Sequence, residues 1–344
     1  MGWAALWAAI VVLAGASGGI FHLYRKELGR ARKGALHAGR VVDTDCGPVE
    51  FAEAGAGATL LSIHGAGGGC DQGLAMAAAL VGDGFHVLAP SRFGYLRTPV
   101  PQDPSVSAQA DAHAALLRAK TISSAIVLGV SAGARSAVEL ASRRPDLVDA
   151  LVLVVPATFS PSSPVPTPRA SLTLSLVKAG ADFAWWILEK VKPSALVRLV
   201  GVPPKLLASA PQSERDRVRG LIRNVEPLSL RVAGLRLDGA VHLHEMSLEE
   251  IKAPTLIVSA EDDLFDTAPA ARFAAARIPG AMLIVYENGG HLLVGQGADA
   301  QTSIRDFLVE LGLARAGVHT AAELRGYART AKAGRRAASM REKT

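Results

Sequence analysis

With 344 residues, a formal net charge of +6, 49% hydrophobic and 20% charged residues, the chain can form one large domain or two ordinary ones and is too apolar to be disordered. The excess positive charge sits at the ends: residues 25–40 hold six Lys/Arg against Glu27, and residues 315–344 hold eight against Glu323 and Glu342, so the body between them is mildly acidic. No basic face is left on that body for nucleic acid, and Cys46 and Cys70 have neither disulfide nor metal-ligand spacing.

In chain order, the first segment is MGWAALWAAIVVLAGASGGIFHLY, with no Lys, Arg, Asp or Glu before Arg25. About 20 apolar residues rising ~1.5 Å each match a hydrocarbon core of ~30 Å. Trp3, Trp7, Phe21 and Tyr24 put aromatics near both ends. Residues 1–24 are therefore expected to be a single-pass membrane anchor that meets the bilayer over 3–21. Residues 25–40 follow as a basic juxtamembrane linker suited to an anionic lipid surface. With the basic cluster after the span, the positive-inside rule places the body in the cytoplasm. Two readings compete: a signal peptide cleaved near Ala14–Ser17, with the body exported, and a soluble chain with a buried apolar helix. Against the signal peptide, no Lys or Arg precedes the apolar run, and six early basic residues would have to cross the membrane.

Short runs rich in Val, Ile and Leu follow: TLLSIH (59–64), HVLAP (86–90), AIVLGV (125–130), ALVLVV (150–155), TLIVSA (255–260) and MLIVY (282–286). They are too short for helices and are bounded by Gly, Pro or Asp, the pattern of buried parallel strands. Helical periodicity lies between them, near 72–81, 107–119, 132–143, 267–277 and 299–311. A strand–helix–strand series implies an α/β fold with right-handed crossovers and helices on both faces of the sheet. The rhythm breaks from Ala157 to about Glu250, after the proline-rich PATFSPSSPVPTP. Residues 157–250 are therefore expected to form an inserted helical cap between core segments 41–156 and 251–314, with 315–344 a basic tail.

Ser131 lies in Gly129-Val130-Ser131-Ala132-Gly133, after one predicted strand and before a predicted helix. That context gives G-x-S-x-G its mechanical meaning: a sharp turn that only small neighbours permit, with the hydroxyl raised above the sheet. A serine needs a base and a group to orient that base. Asp262 and Asp263 follow the fifth run and His291 follows the sixth, so all the candidates fall on the carboxyl edge of one sheet, where ligands gather in such folds. The glycine-rich SIHGAGGG (62–69) leaves backbone N–H groups free to face an anion. The N–H groups of Ala66 and Ala132 are candidates for an oxyanion hole. The same loop has neither pattern of a phosphate cradle. Further candidates are His242, His244 and Glu245 as metal ligands, Trp185 and Trp186 as an apolar lid or bilayer surface against ordinary cap packing, and Arg92 and Arg135 as receivers of an acidic group against solvated or structural arginines.

The motifs HGAGGG, APSRFGY, GVSAG, SAEDD and GGH stand in the order of the alpha/beta-hydrolase superfamily, which the chain resembles over roughly residues 48–313. The resemblance implies an eight-stranded, mostly parallel sheet, a helical cap after the sixth strand and a triad with Ser131 as nucleophile, Asp263 as acid and His291 as base. Counting three from Ala260, where relatives carry glycine, selects Asp263 over Asp262. A second departure is Ser91, where relatives often have aspartate, and a third is Leu96, where they have a small residue. The activity expected is cleavage of a carboxylic ester or related acyl bond of a small, lipophilic molecule through an acyl-enzyme, with no metal or organic cofactor. Two alternatives are carbon–carbon bond hydrolysis by the same triad and a non-catalytic membrane receptor or scaffold on the same fold.

Overall fold

The computed structural model describes residues 3–162, 181–241 and 243–314, with the side chains of 4–6, 8–14 and 16 outside that description. Helix α1 (Trp3–His37) leads into a sheet of eight strands, β1 (Arg40–Thr44), β2 (Gly47–Ala54), β3 (Ala58–Ile63), β4 (Phe85–Pro90), β5 (Ala125–Val130), β6 (Val148–Val154), β7 (Thr255–Ala260) and β8 (Met282–Tyr286). Their spatial order is β1-β2-β4-β3-β5-β6-β7-β8. The first two pairings, β1 with β2 and β2 with β4, are antiparallel; all the others are parallel.

The continuous apolar runs are explained by cover on both faces. Alternate side chains of a strand point to opposite sides, and here they enter two separate cores. Leu61, Val127, Leu151 and Ile257 pack with α3 (Val106–Ala119), α4 (Gly133–Arg143) and α10 (Ala268–Arg277). Leu60, Ile126, Leu128, Val152 and Val258 pack with α2 (Cys70–Leu80) and α11 (Gly297–Glu310). With neither face wetted, no polar alternation is left in these strands to read.

Between β6 and β7 the described residues form five α-helices: α5 (Asp182–Val191), α6 (Pro193–Leu199), α7 (Pro204–Ser209), α8 (Gln212–Arg223) and α9 (Val232–Ala240). They share an apolar cluster of their own, centred on Trp185, Leu196, Val202, Val218 and Ile222. Short ordered contacts tie this insertion to the core. The Arg92 guanidinium forms two parallel bonds of 2.7 Å to Asp238 of α9, and the Tyr95 hydroxyl donates to the same carboxylate at 2.5 Å. Arg231, fully buried, donates to Asp71 at 2.7 Å.

α1 runs unbroken through the basic stretch expected as a linker, whose Ala, Leu, Arg, Lys and Glu are all good helix formers. Its second half docks on the insertion: the Trp186 indole N–H donates to Glu27 at 2.7 Å, Lys190 pairs with Glu27 at 3.1 Å, and the Tyr24 ring meets Phe183 edge-on at 5.0 Å. Among the described residues no helix is long and apolar enough to cross a membrane. The anchor expected over residues 3–21 therefore does not stand on them, most of that stretch's side chains being outside the description. The tail 315–344 and His242 also lie outside the described residues, and Glu245 is drawn to Arg277 at 2.8 Å.

Candidate active site

The turn from β5 into α4 forces Ser131 into the left-handed region, at φ 53°. For a residue with a Cβ that conformation costs on the order of 1–2 kcal/mol, and the surroundings hold it there. The Ser131 N–H donates to the Val154 carbonyl at 3.0 Å, and the Ser131 carbonyl accepts from Ala134 and Ala157 at 3.1 Å. The flanking glycines are dictated by space. A Cβ on Gly129 would sit 2.6 Å from that of Ala137, and one on Gly133 would sit 2.5 Å from the Ile63 and His64 carbonyl oxygens. Gly65 closes over the serine from the loop after β3, where a Cβ would come within 3.1 Å of the Ser131 Cβ.

Two further loops reach the hydroxyl. His291 stands in a short turn after β8, with its Nε2 2.8 Å from Ser131 Oγ and its Nδ1 2.7 Å from Asp263 Oδ2. A carboxylate only accepts, so Nδ1 carries the proton and Nε2 is left to accept from the serine hydroxyl. Asp263 follows β7. Its Oδ1 accepts from the Phe265 N–H at 2.8 Å, and its Oδ2 also accepts from the Thr267 hydroxyl. Burial raises the Asp263 carboxyl, but the neighbouring His291 and the bonds from His291, Thr267 and Phe265 outweigh it and hold the group below its usual range. The adjacent Asp262 does other work: its Oδ1 accepts the Gly290 N–H at 2.7 Å and so fixes the backbone next to His291. Ser131, Asp263 and His291 are all buried.

Ala132 is the N-cap residue of α4, and Ala66 is exposed at the tip of the glycine-rich loop. That loop is held firmly from behind. Its His64 is fully buried, donates from Nδ1 to the Gly65 carbonyl at 2.7 Å and accepts the Arg92 N–H on Nε2 at 3.0 Å. Burial, and then the Arg92 charge, keep His64 neutral well below the usual histidine range. The Arg231 guanidinium caps the Gly68 carbonyl, and the Tyr95 hydroxyl accepts the Gly67 N–H at 3.2 Å.

A cleft opens beside Ala132, lined in part by Arg92, Phe93, Arg135, Leu237 and Asp238. Its two arginines are already committed. Arg92 is paired with Asp238, and Arg135 donates to the Ala157 and Asp238 carbonyls at 2.8 and 3.2 Å. Neither is a free receiver for an acidic group. Trp185 and Trp186 are buried in packing. The departure at Ser91 has a local reason: its hydroxyl donates to the buried Glu50 at 2.9 Å, and Glu50 in turn takes Arg97 at 2.7 Å. A carboxylate at 91 would face that of Glu50. Cys70 is no thiolate nucleophile, since burial and then Glu50 push its thiol up to about 12.

Sequence reasoning missed Asp238, Thr267, Tyr95 and Arg231. Thr267, four residues after Asp263, was within reach of a local reading. The others act through partners far away in sequence, which no spacing announces.

A family model described as alpha/beta hydrolase fold matches residues 58–298. The uncharacterized hydrolase YcgS of Bacillus subtilis is 28% identical over 263 residues, covering 72% of this chain and 90% of its own length. Lipase 1 of Psychrobacter immobilis is 29% identical over 259 residues, covering 72% and 76%. Among solved structures, an alpha/beta hydrolase fold protein from Nakamurella multipartita superposes with a TM-score of 0.62 at 29% identity, over 80% of this chain and 99% of that one. The matched span takes in the strand edge, the serine turn and both loops that converge on it, and the chain belongs to the alpha/beta hydrolase fold family as a hydrolytic enzyme.

Proposed function

We propose that the protein is a serine hydrolase that cleaves a carboxylic ester, or a related acyl bond, of a small lipophilic substrate through an acyl-enzyme. The observation that carries this reading is the unbroken hydrogen-bond chain from Ser131 Oγ through His291 to Asp263, at 2.8 and 2.7 Å. Ser131 attacks the acyl carbonyl while His291 Nε2 takes its proton, and Asp263 holds the imidazole in the required tautomer and stabilises its charged form. The N–H groups of Ala66 and Ala132 stabilise the developing oxyanion, Ala132 from the N-cap of α4 where donors lack intrahelical partners. His291 then protonates the leaving group, and water, deprotonated by the same imidazole, releases the acyl group.

The preference for a lipophilic substrate is supported by the apolar insertion over the sheet edge and by the uncharged first 24 residues. The same stretch supports membrane attachment of the N-terminal helix, with Trp3 and Trp7 standing clear of the body at 80% and 63% exposure. The basic residues after it favour a body on the cytoplasmic side. Alkaline washing of membranes from expressing cells tests attachment: the full chain stays in the pellet, and its quantitative release would contradict it.

Turnover of a p-nitrophenyl ester series set against a dienone acid separates ester from carbon–carbon hydrolysis. The expected result is ester turnover that falls by on the order of 10⁴-fold in Ser131→Ala. Dienone turnover without ester turnover would transfer the same residues to carbon–carbon chemistry. No turnover of either, with a folded protein, would favour a binding role.

A further inference from the structure

The loop that carries His291 is one short helical turn, Gly290–Leu292, closed by the Val294 N–H on the Gly289 carbonyl at 2.7 Å and the Leu293 N–H on the Gly290 carbonyl at 3.3 Å. Gly289, Gly290, Leu293 and Gly295 all have positive φ, at 152°, 58°, 50° and 78°. Its outward backbone groups find partners in the insertion, on α8 and in the loop between α6 and α7. The His291 N–H donates to the Gly201 carbonyl at 3.1 Å, the Leu292 carbonyl accepts from Arg217 at 2.9 Å, and the Gly295 N–H donates to Glu214 Oε2 at 3.0 Å. Arg217 and Glu214 are themselves joined by two bonds of 2.9 Å across one turn of α8. Gly201 does double duty, because its carbonyl also accepts the Leu264 N–H at 3.1 Å, beside Asp263. Gly201 sits at φ +77°, and a Cβ there would lie 2.5 Å from the His291 Cβ and 2.8 Å from the Phe265 ring. The Phe265 ring meets the imidazole edge-on at 4.7 Å.

We propose that the Glu214–Arg217 pair and the Gly201 carbonyl are positioning elements for His291: the insertion clamps the histidine loop at three successive points and sets the imidazole against Ser131. The proposal rests on the reading of Ser131, His291 and Asp263 as the catalytic residues. Its physical basis is that a misplacement of about 1 Å can cost on the order of 10²-fold in rate, and a loop rich in glycine conformers cannot hold that tolerance alone. It follows that α8 cannot swing away as a free lid without releasing the base. Glu214 and Arg217 touch neither Ser131 nor Asp263 directly, so they act through the loop.

The test uses the full chain in detergent with a fluorophosphonate probe and a p-nitrophenyl ester. Glu214→Ala and Arg217→Ala are expected to lower kcat and the first-order labelling constant about tenfold each with KM within about twofold. The double variant should be little worse than either single one, because the two side chains act as a unit. Glu214→Gln still accepts the Gly295 N–H but turns its NH₂ toward the Arg217 Nε–H, so its activity should fall between those of the wild type and Glu214→Ala. Hydrogen exchange gives a readout independent of chemistry: the 288–296 amides should exchange faster in both alanine variants while the sheet stays protected. Wild-type labelling and wild-type exchange in both variants would overturn the proposal, as would accelerated exchange spread over the whole fold. Equal labelling of the wild type and Ser131→Ala would sink the serine reading instead, leaving the exchange data to judge the clamp on its own.

Discussion

Replacing Asp263 by Asn keeps the shape of the side chain and reverses the polarity of one end. The carboxylate accepts three bonds, from the Phe265 N–H, the Thr267 hydroxyl and His291 Nδ1. An amide can keep its oxygen on the Phe265 N–H, which places its NH₂ where Oδ2 now lies, 2.7 Å from Nδ1. Thr267 accommodates this by accepting where it donated. His291 cannot, since two donors would face each other, and the imidazole turns to the tautomer protonated on Nε2. That tautomer has no lone pair for the Ser131 hydroxyl. The loss expected is on the order of 10⁴ in kcat, about 5 kcal/mol of transition-state stabilisation at 1.36 kcal/mol per decade. Asp262→Asn is the internal control. Its bond to the Gly290 N–H needs only an oxygen, so activity should hold within about threefold. Steady-state ester kinetics on both purified variants, with melting curves to show that each is folded, decide the matter. An Asp263→Asn enzyme within tenfold of wild type, or an Asp262→Asn enzyme equally crippled, would refute the reasoning.

The strain at Ser131 makes Ser131→Gly more stable than Ser131→Ala by about 1 kcal/mol, because only glycine sheds the cost of φ 53°; urea melts showing equal midpoints would contradict it. Asp238→Ala strands the buried Arg92 guanidinium and should cost about 3–5 kcal/mol, read as a fall in Tm, whereas a change below 1 kcal/mol would mean that the pair holds nothing. Stability should fall on acidification below about pH 6.5, because His64 and His113 are buried neutral, His113 lowered to about 3 by burial and then by Arg92, and both take up a proton only on unfolding. Glu226 works the other way: burial and then Glu189 raise it to about 7, so the folded state takes up its proton between about pH 7 and 4.5 and offsets part of that loss. Glu226→Gln should therefore steepen the decline in that window, and an unchanged slope in urea melts from pH 7 to 5 would contradict the sign.

The central sheet was legible because burial on both faces leaves an unbroken aliphatic run, as at Ile126–Leu128 or Leu256–Val258, and because glycine, proline or aspartate bounds these runs. The edge hairpin β1–β2 was not read as two strands: Gly47-Pro48 and the charged Glu50 and Glu53 interrupt the pattern, and Glu50 is buried only because Arg97 and Ser91 meet it from a distant loop. Ser131, Asp263 and His291 could be nominated because each follows a strand and the carboxyl edge collects them. The supports behind them could not. Asp238 is one acid in a short helix with no amphipathic pattern, and its value comes from Arg92 and Tyr95, more than 140 positions away. Arg92 and Arg135 looked available to substrate for the same reason, since charge is visible in a sequence and its partner is not. Gly201 resembles any loop glycine until His291 is seen behind it. At the N-terminus, composition foretold a helix but not that its second half would be taken up by Trp186 and Lys190.

The most direct measurement is the intact mass of the protein after exposure to a fluorophosphonate, followed by peptide mapping. A single adduct on Ser131, absent from Ser131→Ala and slowed by Asp263→Asn, is the result predicted. An adduct on another residue, or the same adduct in Ser131→Ala, would contradict the account.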